Sequence, residues 1–175
     1  MKEVIGLFAF YNKRANEALM EILNKLPEEV LKKDMNTFYK SLLNTFMHAL
    51  LANVVWLRRT NVWFQDKYIC IRNSAILKMP DATIIDEVNK DHRYAFSTKS
   101  GLDDLFVSFA AELDESDFNA RVRYKNIKGQ ELERTYWHTM LHSFNHETHC
   151  RGMISAMLDQ LGVDNDYSGI GLYVS

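Results

Sequence analysis

Glycine and proline are scarce: seven glycines and two prolines in 175 residues, about 5% where average usage gives roughly 12%. Few breakers favour long helices. Cysteine is scarcer still. Cys70 and Cys150 are too few and too far apart for a disulfide framework, which points to free thiols in a reducing, cytoplasmic compartment. No window approaches the ~20 uninterrupted apolar residues of a spanning helix, and no apolar N-terminal run ends in a cleavage site, so no membrane association is expected. Nor is there a surplus of positive charge. Lys and Arg number 21 against 23 Asp and Glu, a formal net charge of −2, so no global field favours nucleic acid. What is present is a chain 47% hydrophobic and 25% charged, too apolar to be disordered and of a length that suits one domain over 1–175.

Apolar residues spaced by three and four predict the helices. Val4, Leu7, Phe8, Tyr11, Ala15, Ala18, Leu19, Ile22 and Leu26 mark one over 3–26, ended by Pro27. Phe38, Leu42, Thr45, Ala49, Ala52, Val55 and Trp56 mark a second over 36–60, with Asn36 as its N-cap. Over 61–82 the period is lost, and the segment reads as a connection covering the helices. Ile84, Ile85 and Val88 begin another helical stretch after Asp81. Leu102, Leu105, Phe106, Phe109, Ala110 and Leu113 continue it behind Ser100, an N-cap candidate followed by Asp103 and Asp104. The segment 83–114 is thus either one helix broken near Gly101 or two. Alternation from Phe118 to Tyr124 and turn residues at 126–129 predict a hairpin over 118–135. Helical spacing returns over 136–161, with Gly162 as its stop and an irregular tail to Ser175. The sum is an all-α four-helix bundle carrying a small β-hairpin before the last helix.

Chemistry concentrates on that last helix. Four of the six histidines, His138, His142, His146 and His149, fall within positions 138–149. At 100° per residue, and with His146 at zero, His142 lies about 40° to one side, Cys150 about 40° to the other, and His149 about 60° away. Met153, Met157 and Leu161 extend the stripe, so the cluster is expected to point into the bundle. Buried imidazoles require partners, and a divalent metal supplies one for several at once. His142 and His146, or His146 and Cys150, stand four apart on one helix face, the spacing that lets two side chains hold one ion. A further ligand must come from another helix. His48 is the candidate, because Ser41, Thr45 and Ala52 leave room around it. His92 and His138 read as surface residues, Met153 and Met157 as core, and Cys70 as unreactive. Arg58, Arg59 and Arg151 are either anion-binding or solvated ends of helices.

The stretch Asn145-His-Glu-Thr-His-Cys-Arg-Gly152, with His142 and Phe144 before it and Ile154, Leu158 and Gly162 after it, resembles the signature NHxTHHRGQ of the DinB-like superfamily. Asn12 with Ala15, Asn16, Glu17 and Leu19, the segment 41–59 with Thr45, His48, Trp56 and Leu57, and the hairpin 124–129 are similar to other parts of that family. The resemblance implies an up-and-down-type four-helix bundle, often a homodimer. It also implies a divalent ion, zinc or nickel, held by one histidine of the second helix and a histidine pair of the last. Carried over by position, the ligands are His48, His146 and residue 150. The sequence departs from the pattern there, since Cys150 replaces histidine; a thiolate is a softer ligand and moves preference toward zinc. His142 and His149 stay open as alternative third ligands. Asn53 and Met153 also depart, at positions usually Asp and Gln.

The reaction the resemblance implies is thiol-dependent transfer on a small-molecule substrate, with a low-molecular-weight thiol as partner and a metal activating the thiol or a water. Metal-dependent hydrolysis and a non-catalytic, structural or stress-sensing metal bundle are the alternatives. No nucleic-acid partner is expected.

Overall fold

The computed structural model describes residues 1–173. Helix α1 (Lys2–Leu23) is followed by the short α2 (Glu28–Lys32), with Pro27 at its N-cap. Pro27 therefore opens the second helix, and the first has already ended at Leu23. Its buried face is Ile5, Ala9, Asn12, Asn16, Leu19 and Leu23, whereas Val4 and Leu7 are exposed. The apolar stripe read from the sequence is off-centre because two asparagines belong to the inward face.

Helix α3 (Leu42–Trp63) begins six residues after Asn36. Asn36 has φ 55° and Lys40 φ 73°, left-handed conformations that turn the connecting loop. Ser41 is the cap, its Oγ accepting the Asn44 N–H at 3.2 Å. Phe38 consequently lies in the loop and is exposed. The unreadable region 61–82 contains the end of α3, a turn through Gln65 (φ 49°) and Asp66 (φ 60°), and two short helices, α4 (Ile69–Asn73) and α5 (Ala75–Lys78).

Helix α6 (Asp81–Lys90) and helix α7 (Arg93–Glu112) divide at Asp91–His92 and not at Gly101. Ser100 is an interior residue of α7. A Cβ on Gly101 would stand 3.0 Å from Ile76 Cδ1, so this glycine admits the close approach of α5 and does not interrupt the helix. After Glu115–Asp117, a single 3-10 turn, come β1 (Arg121–Lys125) and β2 (Glu131–Thr135), antiparallel with Arg121 opposite Thr135 and Tyr124 opposite Leu132. Gly129 takes φ 75° in the turn.

The last long helix is α8 (Tyr136–Gln160). Gly162 takes φ 68° behind it, and the Val163 N–H reaches back to the Leu158 carbonyl at 3.0 Å, a left-handed glycine stop. The tail is irregular over 163–169 and then enters the 3-10 turn Ile170–Leu172; the last part of the stretch read as irregular, 174–175, lies outside the described residues. Within the tail, Tyr167 is buried, its hydroxyl bonded to the Arg151 carbonyl at 3.1 Å. The fold is mostly helical with one small hairpin, as expected. Helix α1 packs on α7 and α8, and α3 on α7 and α8, around Leu50, Val54, Leu57, Phe106, Phe109, Phe144, Ile154 and Leu158. Among the described residues no helix is long and apolar enough to cross a membrane.

Candidate metal centre

Helices α3 and α8 lie side by side, which brings His48 of the first against His146 and Cys150 of the second. His48 Nε2 and His146 Nε2 are 2.9 Å apart. Cys150 Sγ lies 3.8 Å from His146 Nε2. One donor atom from each of the three residues falls within 4.8 Å of the others. His142 and His149, the alternatives, are not in this set, and both are exposed. His142 packs instead against Trp56, ring centroids 5.3 Å apart.

The donor set can be tested against a cation. Tetrahedral zinc with bonds of ~2.0–2.1 Å to nitrogen and ~2.3 Å to sulfur places two nitrogens about 3.3 Å apart, and nitrogen and sulfur about 3.6 Å apart. Two of the three separations, 2.9 Å and 3.8 Å, are reached from these by shifts of a few tenths of an ångström; the third, from His48 to Cys150, lies within 4.8 Å and closes by rotation of the side chains. Tyr39, from the loop before α3, supplies the second observation. Its Oη lies 2.8 Å from His48 Nε2, and its ring stacks on the imidazole at a centroid distance of 4.2 Å. His48 Nε2 can carry one proton or one lone pair, yet the hydroxyl and the other imidazole both crowd it. A cation between the two rings resolves the competition, and the residues fit a metal.

Electrostatics prepares the imidazoles. Burial, with His149 behind it, lowers the His48 pKa, and burial together with His48 lowers that of His146. Both rings are therefore neutral near pH 7 and offer lone pairs. The Cys150 thiol is pushed up to about 12, by burial first and by Glu147 second. It sheds its proton only to a cation.

The histidine stripe does not enter the interior as expected. The inward face of α8 is Ser143, Phe144, Glu147, Arg151, Ile154 and Leu158, turned about 100° from His146. His146 and His48 are half-buried at the rim of this face, with Cys150 below them. His138 is exposed as expected, while His92 is largely covered, 3.6 Å from Glu28 and edge-on to Phe96.

In the interior stands a charge network that the sequence reading missed. Lys99 Nζ donates to Asp103 at 2.6 Å and Asn53 at 2.9 Å, and lies 3.2 Å from Glu147. Arg151 donates to Asn12 at 2.6 Å and Asn16 at 3.1 Å, and Asn16 donates to Asp103 and Glu147. All seven side chains are buried. Burial would lower Lys99, but Asp103 and Glu147 outweigh it and raise the pKa. Burial raises Asp103 to about 6 against the pull of Lys99. Arg151 is thus an interior brace and not an anion site, and Asn53 serves Lys99 and not the histidines. Nothing in the spacing of Tyr39 or Lys99 signals these roles; Asn12 and Asn16 on a helical period were the available hint.

Beside the donor set opens a cleft of about 630 Å³, lined by Tyr39, His48 and His146 at one end and by Trp56, Arg59, Tyr124 and Leu132 further along. Cys150 is not in its lining, so the thiol forms the floor of the donor set and the imidazoles face the cleft. The DinB family model matches residues 1–167. The chain belongs to the DinB family. Protein DinB of Bacillus subtilis (strain 168) is 24% identical over 176 residues, covering 95% of this chain and 94% of that protein. No solved structure matches. Within a DinB family chain, then, two histidines and a cysteine form a cluster able to hold a metal.

Proposed function

We propose that this protein is a divalent-metal-dependent enzyme on an up-and-down four-helix bundle, with His48, His146 and Cys150 as ligands and thiol-dependent transfer as its reaction. The observation that carries the reading is the position of three metal-ligand donors at the end of a 630 Å³ cleft. Three protein ligands leave a coordination position open, as catalytic sites require. One sulfur and two nitrogens favour zinc over nickel. A cation held there supplies Lewis acidity that lowers the pKa of an incoming thiol or water.

The chain's own residues set the rest. Cys150, buried beneath the imidazoles, would add negative charge as a thiolate on the side away from the cleft once a cation displaces its proton. Tyr39 Oη, 2.8 Å from His48, holds a proton beside the reacting position, and burial raises its pKa so that the proton stays. His142 also lines the cleft, and partial desolvation of its ring lowers its pKa. Among the described residues no carboxylate lines the cleft. A free thiol has a pKa near ~8.5 and water near ~15.7, so a cleft without a carboxylate base suits thiol activation better than hydrolysis. The partners in this reading are a low-molecular-weight thiol and an electrophilic small molecule. Exposed Val4, Leu7 and Phe10 on one side of α1 support a homodimer, which light scattering reads directly.

Turnover of a panel of small thiols with electrophiles, followed in the zinc-loaded protein, tests the proposal. His48→Ala and His146→Ala, with helical circular dichroism intact, are expected to abolish it. Unchanged turnover in both variants would overturn it.

A further inference from the structure

We propose that the cleft binds an elongated amphiphilic small molecule, whose apolar or aromatic body lies along α3 and whose carboxylate or comparable anion is gripped by Arg59. This deepens the reading above by naming the chemical class of the acceptor, and it rests on that reading only for calling the ligand a substrate.

The cleft follows one side of α3. His48, Ala52, Val55, Trp56 and Arg59 line it, separated by four, seven, eight and eleven positions. The rise of ~1.5 Å per residue makes the distance from His48 to Arg59 about 16 Å along the helix. Between those ends the wall is Leu51, Ala52, Val55, Trp56, Ile127 and Leu132, which binds an apolar body and cannot bind a chain of polar groups.

Of the three arginines that the sequence offered for an anion, two are already engaged. Arg58 donates to the carbonyls of Leu77 and Met79 and to Asp81, tying α3 to α5 and α6. Arg151 is braced in the interior. Arg59 differs. Its guanidinium lies 4.8 Å from the Trp56 ring centroid and 4.7 Å from that of Tyr124. Among the described residues it donates one hydrogen bond, Nη2 to the Lys125 carbonyl at 2.9 Å, and forms no ion pair with an acidic side chain.

A guanidinium has five N–H donors in a planar fork suited to a carboxylate. Aromatic faces on Trp56 and Tyr124 fix its plane, so little freedom is lost when an anion docks. Partial burial lowers the Arg59 pKa, a sign that its charge is under-solvated. A half-buried cation with unused donors, at the end of an apolar trough that among the described residues has no acid in its lining, complements an anion. The hairpin supplies Tyr124 and Leu132 and forms the opposite wall. It is anchored on α3 by the Trp63 indole N–H, which donates to the Arg123 carbonyl at 2.9 Å.

The test uses two fluorescent probes of matching aromatic body: 8-anilinonaphthalene-1-sulfonate, which carries an anion, and N-phenyl-1-naphthylamine, which does not. Each is titrated into the full-length protein, zinc-loaded and after chelation. The sulfonate is expected to bind at about one per chain. Arg59→Gln is expected to weaken it by about tenfold or more, the scale of a lost charge-assisted bond, with the neutral probe changed less than about twofold. Arg59→Lys should fall between wild type and glutamine, Ala52→Trp should exclude both probes, and Arg14→Gln should alter neither. Equal losses of both probes in Arg59→Gln would overturn the proposal, as would an unmoved sulfonate affinity or no binding to wild type. Zinc content of the Arg59→Gln protein separates the two readings. Retained zinc with lost anion selectivity supports this one, and a wild type that takes up no zinc yet still selects the sulfonate sinks only the metal reading.

Discussion

At the scale of the residue, the distinction that matters is between side chains that share a helix face and side chains that share a point. His142, His146, His149 and Cys150 lie within about 60° of His146 on the helix wheel, so spacing alone left the third ligand open. The rim of the interior sets Cys150 apart: it is buried against His146, while His142 and His149 are exposed, and on this the proposed ligand set rests. Tyr39 was illegible because a loop and not a period brings it to His48. The protonation states yield a prediction with a definite sign. Both imidazoles have lowered pKa values and are already neutral at pH 7.5, whereas the thiol is pushed up to about 12. Zinc binding there should release about one proton, from Cys150, and weaken as pH falls. Calorimetry in buffers of different ionisation enthalpy reads the proton count. It should drop toward zero in Cys150→Ser, and equal release in both proteins would contradict thiolate ligation.

At the scale of the element, the helices were legible wherever the inward face is apolar and mislaid wherever it is polar. The faces of α1 and α3 were drawn through Val4 and Leu7, and through Ala52, Val55 and Trp56. The interior in fact takes Asn12, Asn16 and Asn53, and the last three apolar residues line the cleft. Lys99 gave no signal, since a lysine in a helix ordinarily reads as solvated. Its loss should be costly. Lys99→Met leaves Asp103 and Glu147 buried without their shared cation, about 3–5 kcal/mol for a broken buried pair. Thermal melting should fall by on the order of 10 °C, and a change below about 2 °C would show that the network is not stabilising the fold as described. The start of α3 offers a smaller test. Ser41→Ala removes the cap and should cost about 1 kcal/mol in urea unfolding. Asn36→Ala, at the position the sequence favoured, should lose no helix cap.

At the scale of the whole molecule, composition and period announced a mostly helical chain with a hairpin before its last helix, and both are present. The charged interior was hidden because a pattern of apolar residues marks only the apolar part of a core. The donor set sits at the rim of α3 and α8, outside the apolar cluster around Leu50, Phe106 and Phe144. Chelation should therefore abolish turnover while leaving the helical circular dichroism in place. Global unfolding on chelation would favour the structural alternative. The proposed chemistry requires one cation shared by His48, His146 and Cys150. Elemental analysis of protein purified without a histidine tag, combined with cobalt(II) substitution, tests it most directly. About one metal per chain is expected, lost in His48→Ala and His146→Ala, with a thiolate-to-cobalt absorption that is absent in Cys150→Ser. Metal content unchanged in all three variants would contradict it.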